Sequence, residues 1–199
     1  MIPHNHKFDA FIMAHKLAYI ENLKTEYAER LKICLGKRLT SAQRRWYKYD
    51  DYDVTPPDDT AEVVLDFEGL SSLYFSWVQF ADEFDLSLSD KSWLRDGGFS
   101  DTQAEDDDIL SNSVSKVFTS FELYEDEFGS TLAALLNFEE DSLVVAIGHS
   151  EPPNLDAQMD EFLNFYGDDF YLWTKTEFKA ALQKHELKVA VRVENKKSV

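Results

Sequence analysis

Two short apolar runs, residues 132–136 and 143–147, set the first limit on the fold, with the acidic stretch Glu139-Glu140-Asp141 between them. Neither approaches the roughly 20 residues that a helix needs to cross a bilayer. Apolar residues flanking a short polar turn predict a hairpin, with strands over 131–138 and 142–148. A chain of 199 residues with 44% hydrophobic and 14% aromatic content can fill a core behind such a hairpin. At this length folding buries about 70% of the unfolded surface, so no metal or disulfide staple is required. The lone Cys34 forbids an internal disulfide, and its neighbours Leu31 and Leu35 mark it as a packing thiol.

Charge is distributed unevenly. The net charge is −18, but residues 1–49 balance at +6, residues 50–174 at −28 and residues 175–199 at +4. Like charges on one body repel and favour solubility. Nucleic acid is a poor ligand for such a chain, because binding it requires lysine and arginine against phosphates. The amino terminus, Met1-Ile2-Pro3-His4-Asn5-His6-Lys7, has no apolar signal-like region, so a cytoplasmic location without a membrane anchor is expected.

Periodicity gives a coarse map. Phe8, Phe11, Ile12, Tyr19, Leu23, Tyr27, Leu31 and Leu35 form one apolar stripe, and Gly36 follows as a stop signal, predicting a long amphipathic helix over 8–36. Residues 37–60 combine Arg44-Arg45-Trp46-Tyr47 with Asp50-Asp51-Tyr52-Asp53 and Pro56-Pro57. They read as a long loop ending in an acidic linker at 50–60. Leu73, Trp77, Phe80, Ala81 and Phe84 fall at helical spacing, whereas residues 61–67 fit either strand or helix. Residues 96–113 read as a polar loop, 113–123 as a half-buried strand and 157–166 as a helix ending at Gly167. Thr174 with Glu177 spells a capping box for a helix over 174–187, and Val189, Val191 and Val193 alternate as a final strand. Helices and strands without a βαβ rhythm predict an α+β fold: a small antiparallel or mixed sheet packed with several helices. One domain over 1–199 is expected, its body at about 61–193, and no internal repeat is legible.

The motifs for chemistry are incomplete. No acidic cluster has EF-hand spacing, and one cysteine with five scattered histidines gives no zinc site. Gly148-His149-Ser150 lacks the nucleophile-elbow pattern, since Glu151-Pro152 follows. The fragment Val193-Glu194-Asn195-Lys196 would suit half of a metal-dependent nuclease site, with Asp141 as a conjectural second carboxylate. No cofactor, metal or catalytic residue is therefore expected.

Aromatic residues recur beside carboxylates: Asp50, Asp51, Tyr52 and Asp53; Tyr124, Glu125, Asp126 and Glu127; and Asp168 and Asp169 within an aromatic stretch. Interface anchors are enriched in tyrosine and tryptophan, and charged rims steer encounter. These ten residues are the candidate partner-binding positions. The reading that follows is a non-enzymatic acidic binding protein for a basic protein, in its most concrete form a bacterial immunity protein or antitoxin covering the cationic cleft of a toxin such as a nuclease. The alternatives are a DNA mimic or regulatory adaptor of phage or mobile-element type, and third the nuclease built on Glu194 and Lys196.

Overall fold

The hairpin foreseen at residues 131–148 is the centre of a larger β structure. The computed structural model describes residues 23–47, 60–80, 83–92, 99–103, 108–149, 164–182 and 187–195. Among them stand three helices, α1 (23–34), α2 (Asp108–Ser111) and α3 (Lys175–Leu182), and ten strands. β1 (Leu39–Tyr47), β2 (Thr60–Phe67), β3 (Leu73–Phe80), β4 (Glu83–Ser89) and β5 (Phe99–Gln103) form one antiparallel sheet, ordered β4-β3-β2-β1-β5. β6 (Phe118–Glu125), β7 (Thr131–Phe138), β8 (Asp141–His149), β9 (Asn164–Trp173) and β10 (Lys188–Glu194) form the other, ordered β10-β6-β7-β8-β9.

The α+β expectation is therefore corrected: the described residues are mostly β, two antiparallel sheets packed through one core with helices at their margins. Val63, Leu65, Phe75 and Leu86 of the first sheet share that core with Phe121, Leu123, Leu136 and Val145 of the second. Tyr27, Leu31 and Cys34 of α1 close it. The second sheet is covered on its other face as well, where Phe178 of α3 packs on Tyr124, Ala133, Leu135 and Val144. That double burial explains why β7 reads as a continuous apolar run and not as an alternation.

Several boundaries shift for identifiable reasons. Leu73, Trp77, Phe80 and Phe84 fall at helical spacing, yet the first three lie in β3 and Phe84 in β4, while Ala81 lies outside the described residues. Tyr74, Phe75, Trp77, Val78 and Phe80 are strand formers, and Leu73 and Phe75 alternate into the core. The loop expected at 37–60 contains β1, because Leu39 and Ala42 face the core while Arg44 and Arg45 hide the alternation. The polar loop expected at 96–113 holds β5 and α2. Gly167, expected as a helix end, lies inside β9. The N-terminal helix is described over 23–34, with Gly36 at φ 78° behind it; residues 8–22 of the expected helix lie outside the described residues. The capping box holds: Glu177 N donates to Thr174 Oγ1 (3.4 Å) and Thr174 N to Glu177 Oε2 (2.8 Å); residues 183–186 of the expected helix lie outside the described residues. No described helix is long and apolar enough to cross a membrane.

Candidate functional site

Of the three acid-aromatic clusters, the one at residues 124–127 can be followed side chain by side chain. It sits where β6 ends and the turn to β7 begins. Tyr124 is buried, edge-on to Phe178 with ring centroids 4.9 Å apart, and its hydroxyl donates to Glu122 Oε2 at 2.5 Å. Burial first and this bond second push the Tyr124 hydroxyl above its ordinary range. Glu122 also accepts from Arg192 Nε (2.8 Å), the residue opposite it on β10. Burial pushes the Glu122 carboxyl up, but the bonds from Tyr124 and Arg192 outweigh it, and the net direction is down.

The neighbouring acids have structural partners too. Glu125 accepts from Lys24 of α1, tying the helix to the second sheet. Asp126 Oδ1 accepts from Phe128 N and Ser130 N, both at 2.9 Å, which shapes the turn. Glu127 and Phe128 project from this turn into solvent, Phe128 at 48% exposure. An exposed ring beside a carboxylate is the feature here that is suited to a partner.

Asp168 and Asp169 lie on β9, with Asp169 opposite Gly148. Asp50, Asp51, Tyr52 and Asp53 lie outside the described residues. Glu194, proposed above as a nuclease carboxylate, is exposed at the end of β10 opposite Ser120; Asp141 is bound to Lys116, and Lys196 lies outside the described residues.

A polar cluster on the first sheet escaped the sequence reading. Val63 and Leu65 point into the core, so Glu62 and Val64 stand on the opposite face of β2, beside Arg45 and Tyr74. Glu62 is fully buried, accepting from Ser92 Oγ (2.9 Å) and Arg45 Nη1 (3.2 Å), while the Arg45 guanidinium stands 5.9 Å from the Tyr74 ring centroid. Ser92 also lines a cleft of about 500 Å³ between α1 and β4, with Tyr27, Arg30, Ser87, Asp90 and Lys91. Arg30 is held there by Glu26 (2.6 Å) and Asp90 (3.5 Å). The signal in the sequence was the pair Arg44-Arg45 amid strand-forming residues, legible only once the partner strand was known.

Among the described residues no group of three His, Cys, Asp or Glu is placed to hold a metal ion. Burial pushes the Cys34 thiol up to about 12, so the thiolate needed for nucleophilic attack is scarce at neutral pH. No protein-family model, curated protein or solved structure matches the chain.

Proposed function

We propose that the chain is a non-enzymatic binding protein that sets its surplus of carboxylates against a basic protein. Its most concrete form is an immunity protein or antitoxin that covers the cationic cleft of a toxin such as a nuclease. The observation that carries this reading is a charge imbalance the fold cannot absorb. Twenty lysines and arginines face thirty-eight aspartates and glutamates, so at least eighteen carboxylates have no cation of their own. The ion pairs of the structure neutralise individual acids, as Lys24 does Glu125 and Arg45 does Glu62. Others stand exposed at turns: Glu68 after β2, Glu127 after β6, Glu139 and Glu140 after β7. A surface of this sign speeds encounter with a cationic cleft by about 10–10³-fold, and Phe128 beside Glu127 offers an apolar anchor within it.

Recovery of the proteins that bind the chain from native lysate at low salt, followed by titration of the chain into an activity assay of a basic nuclease domain found among them, tests the reading. Stoichiometric inhibition is expected, and Glu127→Lys combined with Phe128→Ala should weaken it. Full nuclease activity at saturating protein would overturn the proposal.

A further inference from the structure

The two sheets share one strand order: a four-strand meander whose first strand is then joined on its other side by a fifth. We infer that the chain is two copies of one unit, joined in tandem and packed about a local two-fold axis, so that the inner surface of each half fits a second copy of that half.

The register carries the first part of the argument. β1 pairs with β2 with irregularities between Leu39 and Ser41 and between Arg45 and Trp46. β6 pairs with β7 with irregularities between Phe118 and Ser120 and between Tyr124 and Glu125. Leu39 to Phe118, Arg45 to Tyr124 and Trp46 to Glu125 are all 79 positions, and their partners Phe67 to Phe138, Glu62 to Ala133 and Thr60 to Thr131 are all 71. The bulged threonines make the same bond: Thr40 Oγ1 donates to the Asp66 carbonyl (3.0 Å) and Thr119 Oγ1 to the Asn137 carbonyl (3.1 Å). The helix ends match as well. Gly36 (φ 78°) and Ser115 (φ 69°) are 79 apart in the left-handed region, and Leu31 and Leu110, again 79 apart, are fully buried. A left-handed serine costs about 1 kcal/mol and is retained where the turn geometry demands it.

Backbone hydrogen bonds between the halves, among the described residues, supply the second part, because they come in mirrored pairs. Gly36 N donates to the Phe118 carbonyl and Ser115 N to the Leu39 carbonyl, both at 2.8 Å. Phe118 N donates to the Lys37 carbonyl (2.8 Å) and Leu39 N to the Lys116 carbonyl (2.9 Å). Arg38 and Val117, 79 apart, bridge each other at the centre. A contact in which residue i meets j while j's counterpart meets i's counterpart is what a two-fold interface between identical units produces. The copies have kept this geometry while their side chains diverged: Val64-Leu65-Asp66-Phe67-Glu68 answers Leu135-Leu136-Asn137-Phe138-Glu139, and Arg45 with Glu62 answers Tyr124 with Ala133.

Exchanging residues across the axis in the full chain tests the inference. Phe118 packs on Phe67 and Phe138 (ring centroids 5.6 and 5.3 Å), the equivalent partners of Leu39 and of itself. Leu39→Phe and Phe118→Leu should each lower the thermal midpoint, by overpacking and by a cavity, and the double exchange should recover most of the summed loss. Leu39→Phe with Phe121→Leu, two buried positions the axis does not relate, should show additive losses. Additive losses in the Leu39/Phe118 exchange would overturn the inference. If that exchange prevents folding, Arg38→Val with Val117→Arg at the central bridge decides in the same way: recovery in the double variant supports the axis and additivity removes it.

Discussion

Glu62 shows what a single residue contributes to the polar face of the first sheet. Its carboxylate is out of contact with water and held by Arg45 and Ser92. Removing one member of a buried pair leaves the other charge without compensation, so Glu62→Ala should cost about 3 kcal/mol by urea denaturation. Replacing both charges, Glu62→Leu with Arg45→Met, should cost less than Glu62→Ala alone, because apolar side chains at the equivalent place in the second sheet pack without charge. Glu122 carries a pH signature. Its folded-state carboxyl lies below the ordinary value of about 4.3, so its contribution is present above that pH and is lost as pH falls through the folded value. The stability gap between the native chain and Glu122→Gln should therefore shrink on acidification, followed by denaturant midpoints from neutral pH downward. Residue roles of this kind were poorly legible. The string Tyr124-Glu125-Asp126-Glu127 looks like one acidic surface, but Tyr124 is tied into the core and Glu125 into a helix 101 positions away. Nothing local in the sequence carries that pairing.

At the level of elements, α3 is the cover of the second sheet, fixed by Phe178 and by the Thr174–Glu177 box. Phe178→Ala should cost about 3–4 kcal/mol as a core truncation. Thr174→Ala should cost about 1 kcal/mol as a lost cap, both measured by denaturant titration. The elements readable in advance were those whose signal is local: the β7–β8 hairpin, the capping box, the final alternating strand and the stop at Gly36. Those missed were decided by tertiary context. Leu73, Trp77, Phe80 and Phe84 match a helical stripe by coincidence of spacing across two paired strands. β1 was hidden because Arg44, buried at 8% exposure on the core side of the strand, breaks the apolar alternation. The duplication was missed because it survives in register, bulges and exchanged hydrogen bonds while residue identities have drifted.

For the whole molecule, electrostatics and packing pull in different directions. One core joins the two sheets, and the bonds exchanged between the halves make independent unfolding of either unfavourable, while −18 of net charge works against compaction. In the proposed reading that surplus serves a basic partner. If opposite charges steer the encounter, the association rate must depend on ionic strength, because the Debye length falls from about 30 Å at 0.01 M to about 8 Å at 0.15 M. Stopped-flow association with the basic protein recovered on this chain from native lysate at low salt, followed across that salt range, is the most direct measurement. A rate constant falling by at least about tenfold with little change in dissociation is the expected result. A rate independent of salt, or no complex at the lowest ionic strength, would contradict the account.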